Sequence, residues 1–296
     1  MTGTVVGLAL GSGGARGWCH IGVLRELEDR GIKPQVVAGA SMGALVGAAY
    51  AAGRLDALED WALGLTLRTM LPLIDVGIAG AGLVGGAGIL TMLRGLGMPE
   101  TIEELALPYI AVATDLRHGR EVWLRKGDLV TSVRASVSIP GLLRPQRLDG
   151  RWLIDGGVVN PVPVSAARAL GAGTIIAVNP NAAVSSGFYE PGETLPGLPD
   201  LSSLLPPALR GLWSGGRKSA PDEVEPSYVA LVNATIDIMS DQIRRARLAG
   251  DPPQVLLSAR LGDVSVVDFH RAAECITEGR RLVAAQADHL AASLGL

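Results

Sequence analysis

Gly39-Ala40-Ser41-Met42-Gly43 is the only G-x-S-x-G in the chain; an apolar run, Val36 to Ala38, precedes it and a helix-like run follows. A sharp turn from strand into helix explains that spacing. The central serine is held in a strained conformation, and a side chain at either flanking glycine would collide with neighbouring backbone. The turn also aims the hydroxyl at a helix N-terminus, where free N–H groups and the positive end of the dipole stabilise developing negative charge. In a chain with 39 glycines, the pentapeptide alone is also compatible with an ordinary small-residue turn. The rest of a site has to come from elsewhere in the sequence.

Two segments supply it. Val5 to Leu10 reads as a buried strand running into Gly11-Ser12-Gly13-Gly14-Ala15-Arg16-Gly17, after which Ile21, Leu24 and Leu27 recur at helical spacing. A glycine-rich strand-to-helix loop is a nest of main-chain donors for an anion, either a nucleotide phosphate or the oxyanion of an acyl-transfer intermediate. The dinucleotide fingerprint G-x-G-x-x-G is broken by Arg16 at its third glycine, and the next strand ends in Val37-Ala38-Gly39 with no acidic residue for a ribose. Trp152-Leu153-Ile154-Asp155-Gly156-Gly157 forms a second strand, ending in a carboxylate and a glycine turn. Asn160-Pro161-Val162-Pro163 then suits the cap and first turn of a helix. Asp before Gly-Gly is commonly a turn former. Its place at the carboxyl end of an apolar strand, with a serine that lacks an obvious histidine, makes Asp155 a candidate base.

In order and content these motifs resemble the patatin-like phospholipases, in particular their bacterial single-domain members. The resemblance rests on Gly13, Gly14, Arg16 and Gly17, then G-x-S-x-G at Ser41, then Asp-Gly-Gly at Asp155. Arg134-Ala135-Ser136-Val137-Ser138-Ile139-Pro140-Gly141 and Asp155 to Pro163 extend it over most of residues 5–180. It implies a three-layer α/β/α fold with a central, mostly parallel sheet, and hydrolysis of lipid acyl esters by a Ser41–Asp155 dyad without metal or cofactor. It also implies an oxyanion hole drawn from Gly13, Gly14, Arg16 and Met42, with Gly39, Gly43, Gly156 and Gly157 as motif glycines. Ser12 stands where many relatives have a first glycine, which leaves open whether that N–H faces the substrate.

A Ser-Asp-His triad of the α/β-hydrolase type is the rival, since His270 and His289 follow Asp155 in the chain. That fold normally places several strands before the nucleophile, and only two precede Ser41. His289 sits in a helical pattern with Leu282, Ala285 and Leu290, and His270 reads as an early-helix residue. His20 adjoins the glycine loop, and His118 lies in a polar turn without metal-ligand spacing to another ligand. A non-catalytic binding or scaffold protein on the same fold is the second alternative.

Composition narrows the classes. The 296 residues, 48% of them hydrophobic, can bury one large core, and a net charge of −3 gives no footprint for nucleic acid. Two cysteines, Cys19 and Cys275, make no disulfide framework and suit a reducing compartment. Met1 to Val6 lacks the pattern of a secretory signal, so the expected location is cytoplasmic, with peripheral contact at a membrane. The glycine-rich run Leu71 to Leu93 contains Asp75 and reads as a loop or broken helix near the site mouth, or as a core segment. Further strands are expected over Tyr109 to Thr114, Thr174 to Val178 and Val255 to Leu257, and helices over Asp128 to Ser136, Tyr228 to Leu248 and Val267 to Leu294. The expected organisation is a single domain, 1–296. Its proline-rich excursion 183–226, a lid or a linker, mixes aromatic, apolar and basic residues of the kind that rest on bilayers.

Overall fold

The computed structural model describes residues 4–66, 69, 82–84, 86–182 and 228–295. In chain order its elements are β1 (Val6–Leu10), α1 (Cys19–Asp29), β2 (Val36–Ala40), α2 (Met42–Ala51), α3 (Leu55–Leu63), β3 (Gly82–Val84), α4 (Ala87–Gly95), β4 (Tyr109–Asp115) and β5 (Arg120–Leu124). There follow α5 (Leu129–Ser136), β6 (Gly141–Leu143), β7 (Gln146–Leu148), β8 (Arg151–Asp155), α6 (Val164–Ala169), β9 (Thr174–Asn179), α7 (Tyr228–Gly250), β10 (Val255–Ser258), α8 (Ala272–Ala285) and α9 (Ala287–Leu294). Two compact units share them, one drawn from 1–185 and 239–296, the other from 186–238. The expected excursion 183–226, and Leu71 to Leu93 apart from β3 and the start of α4, lie outside the described residues. Among the described residues no helix is long and apolar enough to cross a membrane.

The main sheet has the order β10-β9-β1-β2-β4-β8-β7, with β5 added to β4. From β10 to β4 the strands run parallel; β5 and β8 each pair antiparallel with β4, and β7 pairs antiparallel with β8. β1, β2, β4 and β9 are almost wholly buried, as parallel strands covered on both faces must be. Alternate residues feed two cores. Leu8, Leu10, Val37 and Ile176 pack with Ile21, Leu24 and Leu27 of α1, with α2 and with α8. Ala9, Val36, Ala38 and Ile175 pack on the other face against Ala166 and Ala167 of α6. The result is a three-layer α/β/α architecture. Full burial of each large α1 side chain contributes roughly 1.5–3 kcal/mol.

Three local expectations are corrected. The helix expected from Val267 is a 3₁₀ turn at Phe269–Arg271 followed by α8, and it breaks at Gln286, whose φ −116° and ψ 21° leave the helical range and separate α8 from α9. The helix expected from Asn160 begins only at Val164, because Pro161 and Pro163 interrupt the backbone ladder and Asn160 turns its amide to Glu121 and Ser165. β2 runs on through Gly39 and Ala40.

Helices α1 and α8 cross so closely that a Cβ on Gly22 would run into the Ile276 carbonyl and one on Gly279 into that of Cys19. Neither obstacle can move without shifting a helix. Gly279→Ala is therefore expected to cost about 1–3 kcal/mol and lower Tm by several degrees. Gly95→Ala, with nothing within 4 Å, changes stability by less than about 1 kcal/mol. Thermal melts of the two variants check this, and equal effects would contradict the crossing argument.

Candidate active site

β2 delivers Ser41 into a turn with φ 55° and ψ −124°, a left-handed conformation that costs a non-glycine residue about 1–3 kcal/mol. Its surroundings hold it there. The Ser41 carbonyl accepts from the N–H groups of Ala44 and Leu45, 2.9 and 3.1 Å, at the start of α2. Its N–H donates to Ser136 Oγ at 3.0 Å, and Ser136 in turn donates to the Val112 carbonyl at 2.6 Å. A side chain on Gly39 would meet the backbone of Gly43, and one on Gly43 the backbone of Leu10, so the elbow is a close approach of three backbone segments.

Sheet register explains how Asp155 reaches this serine. Ala40, the last residue of β2, lies opposite Val112 of β4, and Asp155, the last residue of β8, lies opposite Ala113. β5 occupies the other edge of β4 at both positions. A parallel and an antiparallel strand thus meet end to end on one edge of β4, with Ser41 and Asp155 at their facing tips. The Asp155 main chain is fixed by its N–H to the Ser138 carbonyl, 3.0 Å, and its carbonyl from Thr114 Oγ1, 2.8 Å. Oδ1 accepts from the Gly157 N–H at 2.7 Å, whereas buried Oδ2 has no partner among the described residues. Burial pushes the carboxyl pKa up to about 6, opposed by the nearby Ser41 hydroxyl and the Gly157 N–H. The Ser41 hydroxyl and the Asp155 carboxyl are thus close enough to interact.

The glycine loop packs over this junction. Gly11 N donates to the Val178 carbonyl at 2.9 Å, Ser12 N to that of Pro161 at 2.8 Å and Ala15 N to that of Val266 at 2.8 Å. The Ser12 N–H is therefore committed to the framework. Gly14 takes φ 52° against the Val266 carbonyl, where no side chain fits. Arg16 fastens the loop: its Nε donates to the Val264 carbonyl at 2.6 Å, Nη1 to Asn181 Oδ1 at 3.1 Å, and its N–H to the Gly13 carbonyl at 3.2 Å. Asn181 also donates to the Ser12 carbonyl, 3.1 Å. Among the described residues no carbonyl accepts from the N–H groups of Gly13, Gly14 or Met42. Gly17 sits against Met42, so loop and elbow are in contact.

His20 is buried and its Nε2 bonds the Gly11 carbonyl at 2.8 Å, so Nε2 carries the proton. Burial lowers its pKa to about 4 and keeps the ring neutral. His118 pairs with Asp115 at 3.0 Å. His270 lies in the 3₁₀ turn before α8 and His289 in α9. Among the described residues none of the four is hydrogen-bonded to Ser41 or Asp155, and no cluster of three or more metal-type ligands occurs. Burial raises the Cys19 thiol well above its usual range, leaving an inert apolar side chain.

Reading the sequence missed Ser136, Ser138, Thr114, Asn181, Val264 and Val266. Ser136 and Ser138 lie in the stretch Arg134 to Gly141 that extends the family resemblance, but nothing in their spacing tells which backbone groups they meet.

An α/β protein with a strained strand-to-helix serine facing a buried carboxylate is a distinctive class. The sequence model of the patatin-like phospholipases matches residues 8–168, which include all the residues just described around Ser41 and Asp155 except those beyond β8 and α6. The chain is 38% identical over 322 residues to an uncharacterized NTE family protein of Mycobacterium tuberculosis, covering 94% of this chain and 89% of that one. It is 34% identical over 204 residues to human patatin-like phospholipase domain-containing protein 6, covering 67% of this chain and 15% of that one. The crystal structure of VipD from Legionella pneumophila aligns over 95% of this chain and 67% of that one at 14% identity and a TM-score of 0.42, too loose a likeness to bear on the site. The chain belongs to the patatin-like phospholipase family, and membership supports activity on lipid acyl esters.

The raised Asp155 pKa has a consequence for stability. Because the folded protein holds this proton more tightly than the unfolded chain, stability falls as pH rises from about 4 through about 6, and the ionised carboxylate is a cost above that. Asp155→Asn, which keeps an acceptor for Gly157, should therefore gain roughly 1–3 kcal/mol over the parent at pH 8 and lose that advantage near pH 4. Melts across this range decide it; an advantage independent of pH would contradict the assignment.

Proposed function

We propose that the protein is a serine acyl hydrolase that cleaves carboxylic esters of lipids through Ser41 and Asp155. The observation that carries the reading is the end-to-end meeting of β2 and β8 on one edge of β4, which sets a strained serine beside a buried carboxylate. Asp155 takes the Ser41 proton as Ser41 Oγ attacks the ester carbonyl. The N–H groups of Gly13, Gly14 and Met42 hold the oxyanion. Collapse of the tetrahedral intermediate breaks the bond to the alcohol, which leaves with the proton from Asp155. Water, deprotonated by the same carboxylate, then releases the fatty acid and restores Ser41. A base with a pKa near 6 is largely ionised at neutral pH yet basic enough to accept a proton as attack proceeds.

Arg16 and His20 act as fasteners of the loop. Ser136 is a positioning residue: with one hydroxyl it ties the strained Ser41 amide to β4.

On a soluble short-chain ester, Ser41→Ala and Asp155→Asn should each lose at least about a thousandfold in kcat/KM, while single changes of His20, His118, His270 and His289 to Gln keep most of it. The parent's kcat/KM should rise with pH through an inflection near 6 as Asp155 ionises. Collapse on losing His270 or His289 would replace the dyad with a triad. Ser136→Ala should lower kcat about tenfold with KM nearly unchanged, and Ser136→Thr should recover part of it, because either hydroxyl can bridge Ser41 and Val112. A loss expressed in KM, or no recovery by Thr, would contradict the positioning role.

A further inference from the structure

β4 outruns its parallel neighbour. Its pairing with β2 ends at Val112, and Ala113 to Asp115 continue beyond it with β5 and β8 alongside. These strands and the turns that join them therefore project from the same end of the sheet as Ser41. Side-chain alternation decides what they present. Ile110 and Val112 face the core under α6, so Thr114 and Leu116 continue on that face. Their cross-strand neighbours there are Trp123, opposite Val112, and Trp152, whose carbonyl receives the Leu116 N–H at 2.9 Å. Leu116 and Trp152 are each 52% exposed and Trp123 is 39% exposed, although all three lie on a sheet face that is closed by helix further down.

Charge lies on both faces of this end of the sheet. Arg147 pairs with Trp152 across β7 and β8 and sets its guanidinium 5.8 Å from the ring centre. Arg117 occupies the β4–β5 turn, Arg120 opens β5 and Arg151 opens β8, all exposed. Ion pairs of the kind that join Arg168 to Asp251 or Arg281 to Glu278 are absent from all four among the described residues. The carboxylates on the same strands are mostly committed. Asp115 accepts from the N–H groups of Arg117 and His118 and from the His118 ring, and Glu121 is bound by Asn160, Trp123 and Arg247. Asp149, in the β7–β8 turn, is exposed. In a chain of net charge −3, this end carries a surplus of unpaired cations next to exposed tryptophan.

We infer that the rim formed by Leu116, Trp152, Arg117, Arg120, Arg147 and Arg151 is the surface on which the protein docks to an anionic phospholipid bilayer. Trp152 and Leu116 enter the acyl boundary, and the guanidinium groups meet headgroup phosphates. Charge complementarity selects an anionic membrane over a neutral one. Placement selects a membrane over a distant partner, because docking at this end brings acyl chains to the end of the sheet where Ser41 lies. The choice of lipid rests on the acyl-hydrolase reading, and the test separates the two.

The Ser41→Ala protein, which binds without turning over, is sedimented with vesicles of phosphatidylcholine alone or with about 30 mol% phosphatidylglycerol. Binding is expected only to the anionic vesicles and should weaken as salt rises. Leu116→Ser with Trp152→Ser should reduce it at least tenfold, and Arg147→Gln or Arg151→Gln about fivefold each. Leu63→Ser, an equally exposed residue on α3, should leave it unchanged. In a Ser41 background these rim variants should keep parental turnover of a soluble short-chain ester. No preference for anionic vesicles, or equal binding by the Leu116/Trp152 variant, overturns the docking surface whatever the enzyme assay shows. Vesicle binding by a protein that hydrolyses no ester would overturn the acyl-hydrolase reading alone.

Discussion

One edge of β4 receives two strands that approach from opposite directions, and the gap between their tips is the candidate site. Ala40 and Asp155 occupy successive register positions, Val112 and Ala113, so Ser41 has nowhere to go but across β2's end, facing the incoming carboxylate. Main-chain pairing sets this distance, and strands are stiffer than loops. The cost is paid locally, in the left-handed backbone of Ser41 and in a carboxylate removed from water.

Both partners are held from the end of α5 and the residues just beyond it. Ser136 bridges Ser41 to β4 with its hydroxyl, and the Ser138 carbonyl holds the Asp155 N–H, so one short stretch fixes both partners. Arg134 braces that stretch from beneath, its Nη1 donating to Ser138 Oγ at 2.7 Å. The glycine loop is fixed independently, through Arg16, Asn181 and the Val264 to Val266 segment. The loop meets the elbow and the end of β8 at close contacts of Gly17 with Met42, of Gly11 with Gly43 and of Ser12 with Gly157.

What could be read from the sequence follows from physics that acts locally. Continuous apolar runs such as Val36 to Ala38 and Tyr109 to Thr114 announce strands buried on both faces, and the glycines at 39 and 43 announce backbone contact. Of the antiparallel strands, β8 could be read from Trp152 to Asp155, but β5 and β7 could not, for the opposite reason. β5 is Arg-Glu-Val-Trp-Leu and β7 is Gln-Arg-Leu, edge segments with charge and little alternation, defined by their partner rather than by themselves. Without them the end-to-end meeting on β4 could not be foreseen, and Ser41 and Asp155 could be paired only by resemblance. The loop's anchors lie some 170 to 250 residues away in sequence, where no local pattern points back to Arg16. The break at Gln286 was likewise hidden, since Val267 to Leu294 keeps helical spacing across it.

The central claim is that strain and a buried base make one serine nucleophilic. Peptide mapping by mass spectrometry after treatment with a fluorophosphonate tests it most directly. The account requires a single adduct on Ser41, formed faster as pH rises through about 6 and suppressed in Asp155→Asn. An adduct on another serine, or labelling of Ser41 at the same rate without the Asp155 carboxylate, would contradict it.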